Sequence, residues 1–221
     1  MIEYLEPILD NLPFLWAGIE TTLVVSVLSV ACSLVLGFAA GLGRCYGPAW
    51  LRLPLVFYID SMRAIPVLVV IVWTFFAFPI LFGVTMTPIV AAVGAISVHV
   101  AASIAEIVRA GIESIRQGQS WAGLALGMSR AQLLRKVILP QAVTRMLPSF
   151  GSAVIVTIKD SAIASVIAVP DVIRHAESVV AQTYRPFEVY SFAMIVFFAI
   201  LFPVARVVDK LYLRVGHRGR S

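Results

Sequence analysis

GQSWAGLALGMSRAQLLRKVILP, Gly118 to Pro140, is a polar and basic island between long apolar runs, and the fold assignment turns on it. It is too polar to lie in lipid. Ser120 is placed to cap a short helix through Trp121 to Leu126, and Gly127 supplies the left-handed residue that ends such a helix. Ser129 and Gln132 stand at capping-box spacing for a second helix, with Leu133, Leu134, Val137 and Ile138 on one face. Pro140 restricts Leu139 and is expected to close the segment. The spacing predicts a helix, turn, helix unit beside a membrane, with Arg130, Arg135 and Lys136 turned to water or lipid headgroups.

On both sides of this island the composition is that of an integral membrane protein. Of 221 residues 60% are apolar and 13% charged, with a mean hydropathy of +0.96, which excludes a soluble domain of this size. A net charge of +5 would suit a nucleic-acid binder, but the charges sit in short blocks between apolar runs and act as topology signals. Cys32 and Cys45 lie thirteen residues apart on one helix and its exit, too distant for a disulfide. Glu3, Glu6 and Asp10 stand where a signal peptide would be basic, so no cleavable signal is expected.

The apolar runs set the topology. Thr21 to Gly43 is free of charge over twenty-three positions, enough for one crossing at about 20 residues. It exits into Arg44, Arg52 and Arg63, which puts that loop in the cytoplasm and the N-terminus outside. Ala64 to Ala105 has no Asp, Glu, Lys or Arg in forty-two positions and predicts two crossings joined by a tight turn near Phe82 to Pro88. The third crossing returns to the cytoplasm near Glu106 and Arg109, so the island is cytoplasmic. A fourth helix is expected to start near Pro148 and run outward to Pro170. The mixed segment Asp171 to Glu188 is then external, with room for a short surface helix.

Val189 to Ala205 is the fifth span, and Arg206, Lys210, Arg214, Arg218 and Arg220 place the C-terminus inside. Fourteen of the seventeen Lys and Arg fall on the cytoplasmic side or its border, leaving Lys159, Arg174 and Arg185. The expectation is an all-α, polytopic membrane protein of about five transmembrane helices, forming one domain over residues 1–221 with a cytoplasmic helix-turn-helix loop over 112–140. Five helices with opposed termini cannot form two equal inverted halves, so a pathway is more naturally shared with a second subunit.

The island resembles the cytoplasmic EAA loop of ABC importer permeases, Glu-Ala-Ala, three residues, Gly, nine residues, Ile, any residue, Leu-Pro. The chain has Trp121-Ala122-Gly123, Gly127, Val137 and Leu139-Pro140 at the same spacing. Gly118-Gln119, Ala125 to Ser129 and Leu139 to Ala142 are similar to the polar amino acid uptake branch of that family, whose members import histidine, glutamine or arginine. So are Gly18 with Thr22-Leu23, Arg63 to Pro66, Ala105 to Gly111, and Lys159-Asp160-Ser161 through Ile167. The resemblance implies that Gly118, Gln119, Trp121, Ala122, Gly123, Leu126, Gly127, Leu139 and Pro140 form a surface that docks into a separate ATPase dimer. That partner would bind ATP and Mg2+, while this chain carries no cofactor. It also implies an external solute-binding protein and the bacterial inner membrane. At Trp121 the chain departs from the family's first Glu, which pairs with basic groups, and this favours a heterodimer with a second permease whose motif is intact.

The residues themselves leave few places for chemistry. None of Lys136, Lys159 or Lys210 follows a glycine, so there is no P-loop and ATP energy must enter through a partner. Lys159-Asp160 lies inside a span, where a charge costs about 2.5 to 3.5 kcal/mol on insertion scales. Either the pair lines a substrate pathway, with Ser161 and Ser165 adding hydroxyls to the same face, or it is a structural contact between subunits. His99 and Glu106, seven residues apart on one side of a helix, are a proton relay or, more simply, packed polar groups. Arg63 with Pro66 is structural, and His175 with Glu177 is either a contact for a delivered binding protein or a solvated face.

Together these features predict the permease subunit of an ATP-driven importer for a polar amino acid or similar small zwitterion. The alternatives are an ATP-independent channel or proton-coupled carrier using Glu106, Lys159 and Asp160, and an intramembrane enzyme built on a serine and His99. Against the enzyme, the Gly-x-Ser at Gly127-Met128-Ser129 lies in the loop as a helix cap.

Overall fold

Lipid offers backbone groups no hydrogen-bond partners, so a chain this apolar must close its hydrogen bonds within helices. The computed structural model describes residues 2–216 and has no strand among them. Its helices are α1 (Ile2–Asp10), α2 (Leu12–Tyr46), α3 (Ala49–Ala64), α4 (Val67–Phe82), α5 (Pro88–Glu113), α6 (Gln117–Ala125), α7 (Arg130–Ile167), α8 (Val172–Thr183) and α9 (Pro186–Gly216). Among the described residues α2, α5, α7 and α9 are long and apolar enough to span a bilayer. Helices α3 and α4, bent by 110° across Ile65-Pro66, reach that length and hydropathy only as a pair. Of the basic residues assigned to the C-terminal side, Arg218 and Arg220 lie outside the described residues.

The tight turn expected near Phe82 to Pro88 is present: Gly83 adopts φ 65°, and Thr87 caps α5 through its side chain ahead of Pro88. The spans are longer than the charge-free runs. The first begins at Leu12 instead of Thr21, and the fifth covers Pro186–Gly216 instead of Val189 to Ala205. At 1.5 Å per residue α2 reaches about 52 Å, well beyond a hydrocarbon core of about 30 Å. The second crossing starts at Val67, and the segment before it, which carries Arg52 and Arg63, is itself helical as α3.

Around the island three expectations are corrected. Ser120 lies inside α6, which begins at Gln117 behind Arg116, so it caps nothing. Pro140 does not close a helix, and Pro148 does not start one. Both lie inside α7, which runs from Arg130 to Ile167. For Pro140 the cause is a π turn over Leu134–Ile138, where the Leu139 N–H bonds back to the Leu134 carbonyl. A proline ring collides with the carbonyl four residues earlier in an α-helix, here that of Lys136, and the wider turn moves that carbonyl aside. Helix α4 uses the same device, with a π turn over Trp73–Ala77 two residues before Pro79.

Helices α2 and α5 form the centre. Ser29, Ser33, Gly37 and Gly41 recur every fourth residue on α2 and are buried against Ser97, Ala101, Ile104, Ala105 and Val108 of α5. Small residues let two backbones approach closely in lipid, where burial alone gives no driving force. At one end Val108, Ile115, Leu133, Ile138, Ala142 and Met146 join α5 to α7. At the other, Leu15, Ala176, Val179, Val189 and Ala193 tie α2, α8 and α9. Cys32 and Cys45 are free thiols.

Candidate functional site

Three regions hold the residues singled out in the sequence. The first is α6 and the turn after it. Gly127 takes φ 76°, in the region that glycine enters without penalty, and ends the helix as expected. Ser129 and Gln132 close a full capping box: the Ser129 hydroxyl accepts the Gln132 N–H at 3.3 Å, and the Gln132 side chain accepts the Ser129 N–H at 2.9 Å. Leu133 and Ile138 are buried, with Leu134 and Val137 partly so, which confirms the apolar face.

Gly123 is buried under Leu133, and a Cβ there would meet Leu133 Cδ1 at 2.6 Å, so α6 lies tight on the first turn of α7. The face of α6 away from Gly123 is bare, with Trp121 67% and Leu124 48% exposed, flanked by exposed Gly118, Gln119 and Ala122, and at the C-cap just past the helix Leu126 is 83% exposed. Leu139 and Pro140 lie apart from this patch, within α7 beyond the π turn.

The second region is a cluster of charge at the same end. Glu106 of α5 accepts hydrogen bonds from Arg44 of α2 at 2.8 Å and from Arg109 Nε at 2.9 Å, and Arg63 of α3 approaches to 4.0 Å. Asp60 stands 4.0 Å from Arg44, and Arg109 also pairs with Glu113. Three guanidinium groups and three carboxylates thus bind the ends of α2 and α5 to the α3–α4 break. Glu106 is therefore an ion-pair hub, and its oxygens are taken by arginines. The His99 Nδ1 is buried and unpartnered among the described residues, and no side-chain hydrogen bond links it to Glu106 there. Sequence spacing exposes only Arg109, three residues along; Arg44 is 62 positions away.

The third region is the distal half of α7. Lys159 is exposed and Asp160 half-buried, and among the described residues neither makes an ion pair or a side-chain hydrogen bond. Ser161 is buried, its Oγ 3.0 Å from Ser26 Oγ of α2 while it donates to the Ile158 carbonyl. Ser165, also buried, donates to the Ala162 carbonyl. The two serines share a face, as their spacing predicts, but it is the packed face and not that of Lys159.

Beyond α7 the chain turns through Ala168 and Pro170 into α8, which is packed onto α2 rather than free on the surface. Asp171 caps α8 by accepting the Arg174 N–H at 2.8 Å, while the Val172 N–H bonds to Thr22 Oγ1 at 3.1 Å. His175 Nδ1 donates to the Phe14 carbonyl at 2.7 Å and its ring stacks on Phe14 at 4.0 Å. A Cβ on Gly18 would fall 2.9 Å from His175 Nδ1, so Gly18 and Thr22 together admit α8. His175 is thus a helix contact, and Glu177 pairs with Arg174 on the exposed side.

Residues 33–217 match the model of the family described as binding-protein-dependent transport system inner membrane component. The glutamine transport system permease protein GlnP of Escherichia coli K12 is 37% identical over 207 residues, covering 92% of this chain and 94% of that one. The octopine transport system permease protein OccM of Rhizobium meliloti is 35% identical over 209 residues, covering 88% and 85%. In crystal form, a chain of an amino acid ABC transporter superposes with a TM-score of 0.87 at 31% identity, covering 94% of this chain and 96% of that one. A chain of the MetNI methionine transporter, at 21% identity and a TM-score of 0.73 over 91% and 97%, shares the fold. With the bundle, the island and most of the length in agreement, the chain belongs to the inner membrane components of binding-protein-dependent transport systems.

Proposed function

We propose that this chain is the membrane-spanning subunit of an ATP-driven importer for a polar amino acid or a related small zwitterion. The observation that carries the proposal is the exposure of three large apolar side chains around α6 and its C-cap, Trp121, Leu124 and Leu126, on a basic segment held by Gly127 and the Ser129 capping box. An exposed aromatic with aliphatic neighbours at a helix end is what an interface anchor looks like before its partner arrives. The partner is a cytoplasmic ATPase dimer that binds ATP and Mg2+, and α6 enters a groove on it.

The arginine-rich end faces the cytoplasm, by the positive-inside rule, with the N-terminus outside. An external binding protein delivers the solute to the α8 end, and Lys159 and Asp160 belong to the pathway. Trp121 in place of the family's Glu supports a second, different permease subunit as the other half. The similarity to glutamine and octopine permeases supports an amino acid or an amino acid derivative as the solute.

The test is to tag the chain, extract it from its native membrane in mild detergent and identify what co-purifies by mass spectrometry. An ATPase together with a second permease is the expected result, and Leu126→Asp is expected to release the ATPase without releasing the permease. Recovery of the chain without any ATPase, after crosslinking as well, sinks the importer proposal in favour of an ATP-independent carrier.

A further inference from the structure

Along α7, Arg145, Ser149, Ser152, Val156 and Lys159 are all exposed, and they recur at spacings of four, three, four and three. On a helix this places them within a band about 80° wide, extending about 21 Å from Arg145 to Lys159. The other residues of α7 at these levels are buried, as Met146, Gly151, Thr157 and Ile158 are, or half-buried, as Leu147, Phe150 and Val154 are. The exposed band is polar at four of its five positions, Val156 being the exception, which is not the composition of a helix surface facing lipid.

Other exposed faces of the molecule provide the contrast. Helix α9 presents Met194, Ile195, Phe198 and Phe202, and α2 presents Val24, Val27, Leu28, Val35 and Leu36. Those surfaces suit acyl chains. Lys159 has no anionic partner among the described residues to offset burial in hydrocarbon. Arg145, at the other end, is turned back to donate to the carbonyl of Ser114 at the end of α5. The Ser149 hydroxyl makes no hydrogen bond among the described residues, while that of Ser152 donates to the Pro148 carbonyl.

We infer that this band is the wall of a water-filled groove, with the Lys159 ammonium as the anchor for the anionic group of the solute, a carboxylate. The inference rests on the importer proposal for the solute's passage, and it replaces Ser161 and Ser165 with Ser149 and Ser152 as the hydroxyls of that passage. The band itself bears no acidic side chain, and Asp160 lies beside it, about 100° around the helix from Lys159. An anion is thus favoured over a cation all along it.

The experiment uses the full chain in proteoliposomes with its co-purified partners, with Cys32 and Cys45 replaced by alanine and single cysteines introduced by Ser149→Cys, Ser152→Cys and Val156→Cys. Controls are Met194→Cys and Phe198→Cys. Two methanethiosulfonate reagents, one carrying a sulfonate and one a trimethylammonium, are compared, each rate being normalised to that of a small free thiol. The groove predicts that all three band positions react and both controls do not. At Val156→Cys the anionic reagent should be favoured by about threefold, a Coulomb effect of one nearby cation in water, and Lys159→Gln should abolish the preference.

Unreactive band cysteines overturn the inference, and so does spontaneous disulfide formation between two copies at Ser152→Cys, which would make the band a dry subunit contact. Reaction without charge preference removes Lys159 as the anchor. None of these failures alters ATPase co-purification, so the importer proposal stands or falls separately.

Discussion

Gly37→Ala adds one methyl to the α2–α5 seam, and the geometry sets its cost. The new Cβ would lie 2.5 Å from Ile104 Cβ, 2.6 Å from Ile104 Cγ2 and 2.7 Å from the Ala101 carbonyl oxygen. Carbon atoms rest about 3.5 to 4.0 Å apart, so the shortfall is about 1 Å. A Cβ and a carbonyl cannot rotate away. The helices must separate, and a gap of that size forfeits a quarter to a half of each facing contact. Overpacking of this kind costs about 1 to 3 kcal/mol, and about 2 kcal/mol is expected here. Gly41→Ala meets Val108 Cβ at 2.6 Å and the Ala105 carbonyl at 2.9 Å, one turn along the same seam. One separation relieves both clashes, so the double variant should lose about 3 kcal/mol and not about 4. Gly94→Ala, on α5 with no atom within 4 Å of its Cβ, is the control and should change stability by less than about 0.5 kcal/mol. Unfolding by sodium dodecyl sulfate in mixed micelles, followed by tryptophan fluorescence, measures all four. Equal midpoints for Gly37→Ala and Gly94→Ala would refute the close-packed seam.

Glu106→Gln leaves Arg44, whose side chain is only 18% exposed, with no carboxylate nearer than Asp60 at 4.0 Å, and should cost about 2 kcal/mol in the same unfolding assay. A double-mutant cycle with Arg44→Gln should return a coupling of about 1 to 2 kcal/mol, and strict additivity would contradict the hub. At Gly127, with nothing within 4 Å of its Cβ, Gly127→Ala carries a purely backbone penalty of about 1 to 2 kcal/mol and Gly127→Asn less. Limited proteolysis of the 116–130 segment should rank alanine as faster cleaved than asparagine. Burial pushes the Asp171 carboxyl up to about 6 from its ordinary 3.8, and its second oxygen is unpartnered among the described residues. A raised carboxyl favours the protonated fold, so its contribution is fully present below about 3.8 and lost as pH rises through about 6. Moving from pH 7.5 to pH 5 should stabilise the docking of α8 by about 1 kcal/mol, and Asp171→Asn should remove that difference.

The spans were legible because lipid leaves a one-dimensional record: charge-free runs of the right length, with arginines at one side. The capping box and Gly127 were legible because their physics is local to a few residues. Helix α3 was hidden by Arg52, Pro54, Asp60 and Arg63, which read as a polar loop. What makes it a helix is tertiary: Ile59 is fully buried and the Tyr58 hydroxyl donates to the Val98 carbonyl of α5. The hub at Glu106 was hidden for the same reason, since two of its arginines come from other helices. Periodicity grouped Ser161 with Ser165 correctly but carries no sign. Which face of α7 is packed depends on α2, through Ser26, and nothing in the spacing says so.

Pro140 carries the widest consequence of any single residue here. Had it ended a helix, as proline usually does, α6 and its partner turn would be a separate unit hinged below the bundle, and motion there could dissipate at the hinge. The π turn keeps the backbone bonded through the proline, from Leu139 N–H to the Leu134 carbonyl, so α7 is continuous from Arg130 to Ile167, about 57 Å. At its start Leu133 is seated on Gly123 of α6. Further along are the Arg145 contact to the end of α5, the exposed polar band and Lys159. A partner that displaces Trp121 and Leu126 therefore cannot move α6 without moving Leu133, and a helix that continues past both Pro140 and Pro148 carries that displacement to Lys159. The proposed docking face is seated on one end of the rod that carries the proposed solute anchor, which is how binding on one side of a membrane can change access to a site inside it.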